Sequence, residues 1–346
     1  MPFAERRPRA RSTLRAFLRD AARRLKAARV SFGHGTTNAY DEAAWLSAHA
    51  LGLPVDALQL HLDRALAADE TRQITALIDA RIRSRKPAAY LLHEAWLGEH
   101  RFYVDERVIV PRSYIAELLQ DDLRPWVARP KQVRTTLDLC TGSGCLAILL
   151  ALTFPHSRVD ASDISQDALQ VAKRNVTDYR LSRRVSLVRS NLYSKLRNRC
   201  YDVIVSNPPY VREAVMRRLP AEYRKEPVLA LAGGHDGLDL VKRVVAEAAL
   251  HLNPGGLLVV EVGHNRKRVE AAFPRLPLIW AETSGGDDCV FLITRETLLA
   301  ADRAHSSRAS RVAASPRSQA TNSPARASGE AAVQRRRSAR ASGGSR

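Results

Sequence analysis

Thr136-Leu137-Asp138-Leu139-Cys140-Thr141-Gly142-Ser143-Gly144, followed by the apolar run Cys145 to Thr153, reads as a β-strand, a tight turn and the start of a helix. Glycines in such a turn let the backbone approach a ligand closely, and the helix N-terminus behind it offers unpaired amide donors. Asp163 closes the next predicted strand, Arg158 to Asp163, where a carboxylate can accept both hydroxyls of a ribose. Its alternative role is to cap the helix that Ser165 opens. The turn lacks the full glycine series of a dinucleotide site, because Cys140 and Leu146 stand where further glycines are needed, and it lies deep in the chain. A nucleoside without a pyrophosphate fits better.

Outward from this turn, short apolar runs alternate with helical patterns, as in a parallel sheet with crossover helices. Strands are predicted at Thr136–Cys140, Arg158–Asp163, Val185–Arg189, Asp202–Ser206, Gly256–Val262 and Cys289–Thr294, with helices at Cys145–Thr153, Asp167–Tyr179 and Leu238–Leu252. The fold class is a doubly wound α/β domain, with ligands expected at the carboxyl ends of the strands. Upstream, apolar residues recur at helical spacing from Ser12 to Arg85, and Gly33-His34-Gly35-Thr36 reads as a connector between helices. Phe102 to Val110 is predicted as a hairpin turning at Asp105 and Glu106. The expected organisation is a basic extension over 1–11, a helical substrate-recognition domain over 12–100, a hairpin linker over 101–111, the catalytic domain over 112–299 and a tail over 300–346.

The formal charge of +19 favours an anionic partner, either nucleic acid or a nucleoprotein particle. From Ala301 onward ten arginines face only Asp302 and Glu330, which supplies eight of those charges. That Ala-, Ser- and Arg-rich composition predicts disorder, with nonspecific RNA contact as one use and solubility as the other. Arg6, Arg7, Arg9, Arg11 and Arg15 form a second basic run, which no apolar signal core follows. Cys140, Cys145, Cys200 and Cys289 lack metal-ligand spacing and read as reduced, buried thiols of a cytosolic protein, with no metal expected. No apolar run approaches the ~20 residues of a membrane span.

Ser206-Asn207-Pro208-Pro209-Tyr210, directly after the apolar strand, carries the chemistry. Two prolines fix an extended turn, remove two amide donors and leave carbonyl acceptors. A planar NH2 group can donate one hydrogen to the Asn207 side-chain oxygen and one to the Pro208 carbonyl while Tyr210 packs on its face. A delocalised amide or ring nitrogen is a poor nucleophile. Two acceptors hold it in line and stabilise the positive charge that grows on it during methyl transfer, so a strong base is not needed before attack.

With Asp138 to Gly144 and Asp163 upstream, Asn207 to Tyr210 resembles the active segment of class I amino-methyltransferases that use S-adenosyl-L-methionine. Val110-Pro111-Arg112-Ser113, Glu226-Pro227, Gly234 to Asp239 and Glu261-Val262-Gly263 narrow the resemblance to the protein glutamine N5-methyltransferase family, over about 12–299. Cys140, Arg112-Ser113 and Gly33 to Thr36 resemble the branch acting on the third protein of the large ribosomal subunit. The resemblance implies a Rossmann-like sheet with an antiparallel last strand, a helical N-terminal domain, and methylation of a glutamine side-chain amide in that protein or its assembling particle. It implies a cofactor site of Asp138, Cys140, Thr141, Gly142, Ser143, Gly144, Asp163, Asn191, Leu192 and Asn207. The acceptor site would hold Asn207, Pro208, Pro209 and Tyr210, with Arg112 seating the substrate. Three departures stand out: Asn191 where an Asp is expected on the adenine, Tyr114 where the branch has proline, and the tail after Ala300. The rivals are an adenine N6-methyltransferase, which would extrude its base into the same acceptor turn, a release-factor glutamine methyltransferase, and a noncatalytic RNA-binding or ribosome-assembly module.

Overall fold

The computed structural model describes residues 12–301 and 303. The expectations for 1–11 and for the body of the C-terminal tail lie outside the described residues.

The chain opens with four helices, α1 (Leu14–Ala27), α2 (Ala39–Ala50), α3 (Ala68–Ser84) and α4 (Ala88–Leu92). Thr13 caps α1 by accepting from the Ala16 amide, and Asn38 caps α2 by accepting from Tyr40 and Asp41. In α1 the buried Leu14, Leu18, Ala21 and Leu25 fall on one face, as the sequence spacing predicts. The core these helices share also takes Val104, Val108, Val110 and two residues of a later helix, Ala168 and Val171.

The hairpin expected over Phe102–Val110 is displaced. The paired strands are β1 (Ala95–Leu97) and β2 (His100–Phe102), and 103–114 runs on without a partner strand. Val104, Val108 and Val110 are buried as read, but side chains satisfy the backbone that a sheet would otherwise pair. Asn175 Oδ1 accepts from the Tyr103 amide at 2.8 Å, Asp105 from Arg107 at 3.0 Å and Glu226 from Val110 at 3.0 Å. Apolar alternation alone does not reveal such substitutes.

After α5 (Ile115–Gln120) come β3 (Thr135–Leu139), α6 (Cys145–Thr153), β4 (Arg158–Asp163), α7 (Gln166–Asp178), β5 (Val185–Arg189) and β6 (Tyr201–Ser206). Two short helices, α8 (Glu213–Met216) and α9 (Val228–Leu231), precede α10 (Asp239–His251), β7 (Leu252–Glu261), α11 (Arg266–Ala272), β8 (Ile279–Thr283) and β9 (Gly286–Thr294). The seven strands are ordered β5-β4-β3-β6-β7-β9-β8; β5 to β7 are parallel, and β9 is antiparallel to both neighbours. The antiparallel last strand is as the resemblance implies, whereas β8 was not predicted. One core covers the face under α6 and another the face under α10. Strand order reverses between β3 and β6, which is where an open α/β sheet leaves a crevice for a ligand.

Candidate active site

Parallel register brings the predicted residues together. Leu139 pairs with Ser162 on β4 and with Ser206 on β6, so Cys140, Asp163 and Asn207 follow one step later at the same edge. There they line a cavity of about 220 Å³ with Gly142, Asn191, Leu192 and Pro209. Gly142 has φ +54°, and a Cβ there would meet nothing within 4 Å. Its glycine is required by backbone conformation and not by crowding. The Gly142 amide donates to Asp163 Oδ2 at 2.9 Å, and the Ser165 amide donates to Oδ1 at 2.9 Å. Each Asp163 oxygen keeps a further lone pair. Burial raises this carboxyl above its ordinary range against those two bonds. The helix cap and the turn clamp are thus one group, while Ser165 itself caps α7 through the Ala168 amide. Asp138 lies beneath the turn, fully buried, accepting from the Thr141 hydroxyl at 2.6 Å. Among the described residues its other oxygen has no hydrogen-bond partner, and burial pushes the carboxyl up to about 7.

Asn207 follows β6 directly, and Ser206 ties the strand end to β3 by donating to the Leu139 carbonyl at 2.9 Å. Among the described residues, neither the Asn207 side-chain amide nor the Pro208 carbonyl is engaged in a hydrogen bond. Pro208 is buried and does not itself line the cavity. Tyr210 packs its ring on Gly263, and its hydroxyl reaches Glu261 Oε1 at 3.4 Å. Burial and the adjacent Glu261 hold the phenol well above its usual range. Beyond the turn, Val211 bridges to Ala232, with its amide donating to the Leu231 carbonyl at 2.9 Å.

Arg112 does not stand free over the cleft. Its guanidinium grips Glu226 with both forks, at 2.6 and 2.7 Å. Against the upward push of its own burial, His34 and Arg112 bring Glu226 down to about 2. His34, read as part of a connector, is buried with its ring 4.2 Å from that of Tyr223 and Nε2 3.6 Å from Glu226 Oε2. Glu261 accepts from the Ser113 hydroxyl at 2.6 Å and the Tyr114 amide at 2.9 Å, and burial pushes it up to about 7.

Residues 117–221 match the family described as the methyltransferase small domain, and 16–92 match the PrmC N-terminal domain. The ribosomal protein uL3 glutamine methyltransferase of Bordetella pertussis is 55% identical over 83% of this chain and 96% of its own. Its namesake in Neisseria meningitidis serogroup B is 53% identical over 83% and 95%, and that of Bradyrhizobium diazoefficiens 45% identical over 83% and 92%. The chain belongs to the uL3 glutamine methyltransferase family. It is a methyltransferase with a Rossmann-like catalytic sheet and an N-terminal domain of the PrmC type.

Within this family framework, the structure gathers Cys140, Gly142, Asp163, Asn191, Leu192, Asn207 and Pro209 on one cavity. Asp138, Thr141, Ser143 and Gly144 support the turn from behind, and Tyr210 and Arg112 stand further out. Sequence reasoning missed Asn175, whose amide donates to the Ser143 carbonyl at 2.8 Å and to the Tyr103 carbonyl at 3.0 Å, tying the glycine turn to the linker. A buried asparagine at mid-helix is its one sequence trace. The thiols are free, but only Cys145 and Cys289 are buried; Cys200 is exposed and Cys140 intermediate, which corrects the uniform reading. Cys289 also meets His264 and Asp288, whose ligand atoms all lie within 4.8 Å. Linear spacing hid this cluster because β7 and β9 bring it together. As it stands Cys289 donates to the Gly285 carbonyl at 3.4 Å, and burial pushes the thiol up to about 12. Among the described residues no helix is long and apolar enough to cross a membrane.

Proposed function

We propose that this protein methylates the side-chain amide nitrogen of a glutamine in ribosomal protein uL3, with S-adenosylmethionine as the methyl donor. The observation that carries the proposal is Asn207, whose side-chain amide has no partner among the described residues and which lines the same cavity as Asp163. The residues present suit the cofactor. Asp163 has lone pairs left for two ribose hydroxyls, Leu192 and Leu240 provide apolar walls for a base, and the Asn191 carbonyl can accept from an exocyclic amine. Asp138, which holds the Thr141 hydroxyl beneath the turn, orients the loop. Bound there, the donor supplies an electrophilic methyl on a sulfonium.

The chain's own part is to present the acceptor nitrogen. The Asn207 oxygen and the Pro208 carbonyl take its two hydrogens, Tyr210 walls the planar amide, and Pro209 keeps the turn extended. Both acceptors strengthen their bonds as positive charge develops on nitrogen, so they stabilise the transition state more than the ground state. The proton departs after transfer, when the methylated nitrogen is acidic. Arg112, gripped by Glu226, contributes to substrate seating through that pair.

The test uses labelled S-adenosylmethionine and ribosomal proteins from cells lacking this enzyme. One labelled large-subunit protein is expected with wild type. Asn207→Ala should lower transfer on the order of a hundred- to a thousandfold while cofactor binding persists. Label confined to ribonuclease-sensitive material would point instead to an adenine enzyme, and cofactor binding without transfer to any ribosomal component to a noncatalytic module.

A further inference from the structure

Between Val211, beside the catalytic turn, and Leu231, which pairs with it, the only buried residues are two acids, Glu222 and Glu226. Glu222 Oε1 lies 2.8 Å from Arg85 Nε and 3.5 Å from Arg81 Nη1. Arg81, itself wholly buried in α3, also donates to Glu42 of α2 at 2.7 Å. Four residues on, Glu226 is held by Arg112 and by the Val110 amide. The chain then passes straight into the cavity wall, where Pro227, Leu229 and Ala230 line the site, and Leu231 accepts from Val211.

Resting on the methyl-transfer reading above, we propose that Glu222 and Glu226 are positioning residues: they anchor the cavity wall and the far end of the Asn207–Tyr210 turn, Glu222 to Arg81 and Arg85 of the N-terminal helical domain and Glu226 to Val110 and Arg112 of the linker and its junction with the sheet domain. Apolar anchors would hold the segment in many nearly equivalent ways. The two-pronged Arg112–Glu226 pair fixes both distance and direction, while Arg81 and Arg85 hold Glu222 by charge at one oxygen. The helical domain and the linker together therefore set the geometry in which the acceptor nitrogen meets the methyl group, besides any contact they make with the substrate protein.

The test compares full-length wild type with Glu226→Gln, Glu222→Gln and the milder Arg112→Lys, which keeps the charge but loses the fork. Hydrogen exchange at the amides of Val211 and of Gly233, which donates to the Val211 carbonyl at 2.9 Å, should accelerate about tenfold or more in the Gln variants while amides of β3 and β4 hold their protection. In the methyl-transfer assay kcat should fall on the order of 10- to 100-fold, with the acceptor KM moving less than about threefold. Arg112→Lys should lie between, and it serves if a Gln variant does not fold. Unchanged exchange at the two amides, or a uniform rise across the sheet with kcat per folded molecule intact, overturns the proposal. Wild type that labels no ribosomal protein would refute the functional reading alone, since the exchange result decides the anchoring without it.

Discussion

Glu261 is a carboxyl kept from water at the end of β7, hydrogen-bonded by Ser113, Tyr114 and Tyr210 and pushed up to about 7 by its burial. A carboxyl raised in the fold keeps its proton where the unfolded chain has lost it. Its contribution to stability is complete below the ordinary value of 4.5 and is lost as pH rises through about 7. Across that window the group should lower the unfolding free energy by roughly 1.4 kcal/mol per pH unit. Asp138, also raised to about 7, adds a slope of the same sign. Glu226, held at about 2, acts oppositely: its contribution is present above 4.5 and fades as the pH falls toward 2. Glu261→Gln should therefore flatten the decline above pH 4.5, as denaturant titrations at several pH values would reveal; an unaltered slope would show that Glu261 titrates normally. Asn207 was legible in the sequence because a polar residue before two prolines at a strand end has few structural uses. The placements of Glu261 and Glu226 were not, since Ser113 and Tyr114, which hold the one, and Val110 and Arg112, which hold the other, lie more than a hundred residues away.

At the scale of elements, the catalytic turn is packed from behind by the segment after α9. A Cβ on Gly233 would come within 2.7 Å of the Tyr210 Cα and 2.8 Å of the Pro209 carbonyl oxygen, both rigid backbone. Gly233→Ala should cost about 1–3 kcal/mol through overpacking, and it should lower kcat more than cofactor affinity, because the displaced atoms belong to the acceptor turn. Thermal unfolding and calorimetric cofactor titration of the variant check both; wild-type kcat would mean the turn tolerates the shift. Strands β6 and β7 were readable because Val203–Val205 and Leu257–Val260 are continuous apolar runs of buried parallel strands, whereas β3 and β4 showed only through the alternating Leu137/Leu139 and Val159/Ala161. The edge strand β8 was not, since Ile279 is exposed and only Ala281 in it is buried. The linker misled for a different reason: its valines alternate like a strand, yet Asn175, Asp105 and Glu226 satisfy its backbone.

Over the whole molecule, helical and catalytic parts share structure. α7 gives Ala168 and Val171 to the N-terminal core and Val176 to the core of the sheet, and the buried ion pairs of Glu222 and Glu226 tie the post-turn segment to the helices and linker. Residues 12–303 should unfold in one transition, with calorimetric and van't Hoff enthalpies agreeing; two separated transitions would show that the N-terminal helices melt independently. The fold class followed from the alternation of strand and helix patterns, but this coupling did not, because it runs through one helix shared by two cores and through single buried charges that composition cannot distinguish from surface ones. The central claim is that the Asn207 turn presents a glutamine amide. Tandem mass spectrometry of ribosomal protein uL3 and ribosomal RNA after reaction with wild type and Asn207→Ala tests it most directly. The expected product is one methyl on a glutamine side-chain nitrogen of uL3, absent with Asn207→Ala and absent when that glutamine is replaced. A methyl on an RNA adenine, or modification of uL3 undiminished by Asn207→Ala, would contradict it.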